Sequence, residues 1–237
     1  MKFSTPLQRG TLIKRYKRFL ADVRLDDGSE ITAACPNTGT MMGLSAPGCT
    51  VWLSRSESLT RKYAHTWELT VHDPGAGPTL VGINTSLPNR IVEDGIGSGT
   101  VAELAGYPVL RREVKYGVNS RIDLLLEDLS GKRCYVEVKN VHLSRKLGLA
   151  EFPDCVSDRA AKHLVELTSM VKEGHRAVML YLIQRGDVAE FKLAADLDRT
   201  YSAGFDKARR AGVEMLAYRC HVSTTGVTLA GQVPIAA

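Results

Sequence analysis

The chain has no apolar run long enough to cross a bilayer. After Lys2 comes neither a long apolar core nor a small-residue cleavage site, so no secretory signal is expected. Cysteine is sparse: Cys35, Cys49, Cys134, Cys155 and Cys220 are odd in number and show no CxxC spacing. Disulfide frameworks and cysteine zinc sites need paired spacing, so free thiols in a reducing, cytoplasmic setting are expected. The six histidines form no HxH or HExxH pair, which removes the common zinc-enzyme signatures. Gly95-Ile96-Gly97-Ser98-Gly99 is not a GxGxxG loop and follows no strand at the right distance, so a dinucleotide site is not expected. Aromatics make up 6% of the chain and show no paired platform for a sugar ring.

What is present is the composition of an ordinary globular protein. The 237 residues, 44% hydrophobic and 24% charged, suffice for one large domain or two small ones. The net charge of +5 permits a nucleic-acid partner without requiring one. The basic charge is front-loaded. Lys2, Arg9, Lys14, Arg15, Lys17, Arg18 and Arg24 face a single acid, Asp22, in the first 24 residues.

From Thr11 to about Gly82 the pattern is all-β, with turns at Asp26-Asp27-Gly28-Ser29 and Pro36-Asn37-Thr38-Gly39. About five short strands in this length point to a small closed barrel, an OB-fold first and an SH3-like barrel second. Lys14, Tyr16 and Arg18 share one strand face, and Arg61, Lys62, Tyr63 and Trp67 follow later. Cations that track phosphates and rings that stack on bases are what nucleic-acid-binding barrels use. Lys14, Arg15, Lys17, Arg18, Arg61 and Lys62 are therefore candidate phosphate contacts. Trp52, between Val51 and Leu53, is expected in the core.

Near Asn84 the pattern changes, which divides the chain into residues 1–83 and 84–237. The second part predicts helix 86–105, strands 109–116, 121–127 and 133–141, helix 156–173, strand 176–184, helix 196–211 and strand 213–222. This is an α/β arrangement, α+β for the whole chain: a mixed sheet with helices on its faces. On the helix from Val156, Ala160, Leu164, Leu167 and Val171 form the apolar stripe, with Arg159, Lys162 and His163 off it.

The most informative stretch is Ser120–Val141. Ile122, Leu124 and Leu126 alternate on one strand, and Glu137 and Lys139 share a face of the next. Asp128-Leu129-Ser130-Gly131 fits a type I turn closed by a left-handed glycine. That turn predicts pairing of Glu127 with Arg133, Leu125 with Tyr135 and Asp123 with Glu137. Two opposed carboxylates repel unless a positive group lies between them. Lys139 is one candidate for that group, and a divalent cation held by the two acids is the better one. Arg121, two residues before Asp123, is placed to form a competing ion pair.

Asp123 followed by Glu137-Val138-Lys139 across a hairpin resembles the PD-(D/E)xK nuclease signature, with Ile122 where its proline stands. The chain as a whole is similar to the sugar fermentation stimulation protein A family. The likeness is carried by Leu7-Gln8-Arg9, Arg15-Tyr16-Lys17-Arg18-Phe19-Leu20-Ala21-Asp22-Val23, Cys35-Pro36-Asn37-Thr38-Gly39 and His65-Thr66-Trp67-Glu68-Leu69. It continues in Glu113-Val114-Lys115-Tyr116-Gly117, Ser120-Arg121-Ile122-Asp123, Phe152-Pro153-Asp154 and Lys162-His163-Leu164. The resemblance implies an N-terminal OB-fold and a restriction-endonuclease-like αβββαβ core. It also implies DNA binding and a role in sugar metabolism. It points to Mg²⁺ or Mn²⁺ on Asp123 and Glu137, with Lys139 acting on water and phosphate. Glu113 and Glu103 are further candidate acids, and Arg159, Lys162 and His163 are candidate phosphate contacts beside the site. A DNA-binding regulator that keeps the fold without cleavage is the alternative.

Overall fold

The computed structural model describes residues 1–117 and 120–236. The N-terminal alternation becomes six strands: β1 (Gln8–Tyr16), β2 (Leu20–Leu25), β3 (Glu30–Ala34), β4 (Thr50–Arg55), β5 (His65–His72) and β6 (Thr79–Gly82). They pair in the order β3-β2-β1-β4-β5-β6, and a short parallel pairing of β3 with β5 closes the first five into an OB-type barrel. Leu12, Val23, Val51, Leu53 and Trp67 fill it. Trp67 is fully buried and donates its indole N–H to the Leu69 carbonyl (2.9 Å). Trp52 is a correction. It alternates with the inward-facing Val51 and Leu53, so it points out of the barrel and packs half-buried on the core of the second sheet.

The second part opens with helix α1 (Pro88–Gly97), which starts with proline in its first turn and stops sooner than its pattern predicts. Gly99, at φ +76°, turns the chain, and only a single 3-10 turn follows at Ala102–Leu104. Then come β7 (Val109–Tyr116), β8 (Ser120–Glu127), β9 (Arg133–Val141), β10 (Leu143–Lys146) and β11 (Gly148–Phe152). The chain ends with α2 (Asp158–Lys172), β12 (Arg176–Ile183), β13 (Val188–Leu193), α3 (Arg199–Arg210), β14 (Glu214–Ser223) and β15 (Gly226–Gln232). The sheet order is β15-β14-β12-β9-β8-β7, with β9, β12 and β14 parallel and the other pairs antiparallel. Helices α2 and α3 cover one face through Ala160, Leu164, Leu167, Tyr201 and Phe205. Helix α1 and the barrel cover the other through Ile91, Val92 and Leu69. The short strands β10, β11 and β13 form a small separate sheet that the sequence pattern does not predict.

A polar clamp ties the barrel to the second sheet. Asp154 Oδ2 accepts from Thr40 Oγ1 (3.1 Å) and the Met41 amide (3.3 Å), and lies 3.5 Å from His142 Nε2. Burial alone would raise this carboxyl, but His142, Thr40 and Met41 together hold it well below the usual carboxylate range. A β-carbon on Gly39 would sit 2.7 Å from Asp154 Oδ2, so the close approach of the two loops requires glycine there.

Candidate metal centre and nucleic-acid interface

The turn at Asp128 sets the geometry. Its carboxylate accepts from the Ser130 amide (2.8 Å), the Ser130 hydroxyl (2.7 Å) and the Lys132 amide (2.9 Å), while Gly131 takes φ +80°. From there the pairs run Glu127↔Arg133, Leu125↔Tyr135 and Leu124↔Val136, as the turn predicts. The next step would oppose Asp123 and Glu137. Here the strands part, and Asp123 Oδ2 accepts the Val138 amide hydrogen at 2.8 Å. A side-chain oxygen has taken the place of a ladder carbonyl.

The same level of the sheet is irregular in β7. The pairs Arg112↔Leu124 and Val114↔Ile122 set Glu113 level with Asp123, and Glu113 adopts φ +54°. That conformation is uncommon for a glutamate and re-aims the strand. Leu110, Leu124 and Leu126 belong to the core under α1, whereas Val114, Tyr116 and Ile122 belong to the core under α2. Ile122 therefore leaves the face it was expected to share with Leu124 and Leu126. The reversal falls at Glu113 and Asp123, and it opens the cleft in which they lie.

Three acids thus stand in a row across β7, β8 and β9. Asn89, on α1, donates to Asp123 Oδ1 (2.9 Å) and Glu113 Oε1 (3.3 Å). Glu137 is almost fully buried, with its side chain 3% exposed. Its Oε1 takes Lys139 Nζ at 2.8 Å and a short contact from His163 Nδ1, and Lys139 Nζ lies 3.1 Å from that nitrogen. Its Oε2 is buried with no partner. Burial and the neighbouring Glu137 push the Asp123 carboxyl up to about 6. For Glu137 burial acts in the same direction, but the His163 hydrogen bond and the Lys139 charge outweigh it and lower the pKa.

The donor set suits a small hard cation. Mg²⁺ is commonly held by one or two carboxylates and keeps several waters. Asp123 and the unpartnered Glu137 Oε2 are such a pair. No cluster of three or more His, Cys, Asp or Glu side chains is arranged for a metal among the described residues.

The other expected residues divide. Glu113, Arg159 and His163 line the cleft with Asp123, Glu137 and Lys139. Glu103 does not join them: the helix expected to carry it ends early, and its Oε2 accepts the Tyr218 hydroxyl at 2.5 Å. Lys162 lies 3.5 Å from Glu166, one helical turn on, and does not line the cleft. Arg121 is exposed beside Lys115 and makes no ion pair with Asp123 among the described residues.

On the barrel, Lys14 lies over the Tyr16 ring (5.4 Å) and 3.4 Å from Asp22. Arg15 donates to the carbonyls of Arg18, Asn37, Gly39 and Thr40, so its guanidinium fastens two loops together. Lys17 and Arg18 are exposed, and both have left-handed backbone. Arg61 donates to Thr66 Oγ1 (2.7 Å), and Lys62 lies 5.5 Å from the Tyr63 ring centre. Neither lines the acidic cleft. The cleft also takes in residues outside the expected set, among them Asn89, Arg112 and Asn140. Asn89 falls inside the expected helix 86–105, where nothing in its residue type marks it for the site.

Comparison with known proteins covers both parts. The family description "Sugar fermentation stimulation protein RE domain" matches residues 86–226, and "SfsA N-terminal OB domain" matches residues 13–83. A sugar fermentation stimulation protein homolog of Brucella anthropi is 57% identical, over 99% of this chain and 100% of its own length. One from Azorhizobium caulinodans is 54% identical, over 99% of each chain. Among solved structures, Pyrococcus furiosus SfsA in complex with Ca²⁺ superimposes with a TM-score of 0.89 at 26% identity, covering 100% of this chain and 98% of that one.

Proposed function

The chain belongs to the sugar fermentation stimulation protein family, and from that premise we propose a DNA-binding protein with a metal-dependent site for phosphodiester hydrolysis. In this reading residues 1–83 hold the nucleic acid and residues 84–237 carry the chemistry. The observation that carries it is one cleft holding Asp123, Glu137 and Lys139 together, with Asp123 pushed up to about 6 and Glu137 Oε2 left without a partner. A fold that leaves Asp123 poorly compensated beside an unpartnered carboxylate oxygen of Glu137 is suited to a cation. The Ca²⁺ of the Pyrococcus furiosus relative supports a divalent ion, and the carboxylate pair supports Mg²⁺ or Mn²⁺.

Asp123 and Glu137 Oε2 would hold the ion. When bound, it would polarise the phosphate and lower the pKa of water. Lys139, oriented by Glu137 Oε1 and His163, would offset negative charge developing on the phosphate oxygens. Arg159 and Arg112 on the cleft wall would meet flanking phosphates. Glu113, fixed by Asn89, would hold water on the open side. All five cysteines are unpaired, which supports a cytoplasmic setting.

One observation favours a second reading, a DNA-binding regulator of sugar metabolism without turnover. Glu137 Oε1 is already neutralised by Lys139 and His163. Incubation with single- and double-stranded DNA and RNA, in EDTA, Mg²⁺ or Mn²⁺, separates the two. Cleavage that needs metal and disappears in Lys139→Ala supports the nuclease. Binding without cleavage of any substrate supports the regulator.

A further inference from the structure

The turn between β1 and β2 violates the usual turn chemistry. Hairpin positions with left-handed backbone are normally Asn or Gly. Here two consecutive long cations occupy them, Lys17 at φ 50° and Arg18 at φ 64°. Next to them Phe19 is 51% exposed, although it is flanked by the buried Leu20. Strained backbone that persists in a native structure is over-determined by its surroundings and points to function. The surroundings are on hand. Arg15 Nη2 binds the Arg18 carbonyl at 2.9 Å, and the Cys35 amide binds the Phe19 carbonyl at 2.8 Å. The turn is held from both sides while its three side chains stay in solvent.

Its position links it to the cleft. The same Arg15 guanidinium reaches the Thr40 carbonyl, and the Thr40 hydroxyl binds Asp154. Asp154 stands three residues before Ser157, whose hydroxyl caps α2 by accepting from the Ala160 amide. In the first turns of that helix lie Arg159 and His163, on the cleft wall. The turn therefore sits on the barrel at the end of α2 that leads into the acidic site.

We propose that Phe19 is a stacking residue for an unpaired base, with Lys17 and Arg18 on the neighbouring phosphates, so that the preferred partner is nucleic acid containing single-stranded positions. This rests on the nucleic-acid reading above. A rigid, exposed ring beside two exposed cations matches the requirements of single-strand binding, where stacking is tolerant of sequence and the cations follow the backbone. A fully paired duplex has no free base face to offer, so it uses the cations and not the ring.

The test is fluorescence anisotropy with a labelled single strand of about 20 nucleotides, long enough for one barrel site, and its duplex, in buffer containing Ca²⁺. The wild type should bind the single strand more tightly than the duplex. Phe19→Ala should weaken single-strand binding about tenfold or more, as expected for one lost stacked base, and leave the duplex within about twofold. Phe19→Trp should restore single-strand affinity, and Arg18→Ala should weaken both partners together. Phe19 is exposed, so its replacement leaves the fold intact. If the wild type binds and Phe19→Ala changes nothing, or weakens both partners equally, the stacking role is overturned while the nucleic-acid reading stands. If the wild type binds neither partner, both fall.

Discussion

The two ends of the β8–β9 hairpin hold an aspartate in opposite ways. At the turn, Asp128 accepts three hydrogen bonds in solvent, chiefly from the Ser130 hydroxyl, and its pKa is lowered. At the open end Asp123 also accepts hydrogen bonds, from Val138 and Asn89, yet burial and Glu137 push it up to about 6. Asp154 completes the contrast. It too is largely withdrawn from solvent, with its side chain 17% exposed, but His142, Thr40 and Met41 compensate it and its pKa falls. Burial alone therefore does not set the direction. The number and charge of the partners decide it, and Asp123 is the one of the three set beside a second, incompletely paired acid. At Asp128 and Asp154 the carboxylate serves the fold. At Asp123 the fold tolerates the carboxylate.

The largest effect should be on chemistry. If the open end is a catalytic centre, Asp123→Ala, Glu137→Ala and Lys139→Ala should each lower metal-dependent cleavage about a thousandfold, while Asp128→Ala leaves it near wild type. Steady-state rates on one oligonucleotide check this, and an unaffected Lys139→Ala would remove its assigned role.

Asp154→Ala should come next, costing about 3 kcal/mol at neutral pH because it strips a buried cluster of its acceptor. The native pKa is depressed, so this contribution is full above the ordinary carboxylate value and is lost progressively as pH falls from there to the lower native value. Urea melts at neutral and acid pH should show the gap between wild type and variant closing.

Asp123→Asn should do the reverse. Between the ordinary carboxylate value and about 6, the native protein keeps a proton that the unfolded chain has released. Stability then falls as pH rises through that window, and the variant escapes the loss. It should be more stable than wild type by about 2 kcal/mol above pH 7, without metal, and no different below about pH 4. The same melts report it, and a destabilised variant at pH 7 would refute the account of this acid.

The smallest effects separate the barrel cations. Arg15→Ala should lose about 1–3 kcal/mol of stability because four carbonyls lose a donor. Lys17→Ala and Arg18→Ala should leave stability near wild type and each flatten the salt dependence of nucleic-acid binding by about one unit of slope. Thermal melts alongside a salt titration distinguish fastening from phosphate contact.

Much of this contrast was legible in the sequence because it depends on local turn chemistry. Asp128-Leu129-Ser130-Gly131 fixes the hairpin, and its register runs from Glu127↔Arg133 to Leu124↔Val136, one step short of Asp123 and Glu137, where Asp123 instead accepts the Val138 amide. The barrel follows from alternation and turn residues in the same way. What lay outside reach was non-local or conformational. The left-handed backbone of Glu113 leaves no mark on its residue type, and without it the splitting of Ile122 from Leu124 cannot be read. Asn89 meets Asp123 across 34 positions, and Asp154 meets Thr40 across 114. Glu103 was misplaced because α1 ends at Gly97, so the acid is carried on a separate turn to Tyr218. Arg15 resembled its cationic neighbours in composition and differs from them only in where its guanidinium goes.

The most direct test is calorimetry of Mn²⁺ binding near pH 6 to the wild type, Asp123→Asn and Glu137→Gln. The account predicts one ion bound by the wild type with release of a proton from the carboxylate pair, and binding weakened about tenfold or more in each variant, in the range that loss of a supporting ligand interaction gives. Equal affinity in all three proteins, or binding with no proton release, would contradict it.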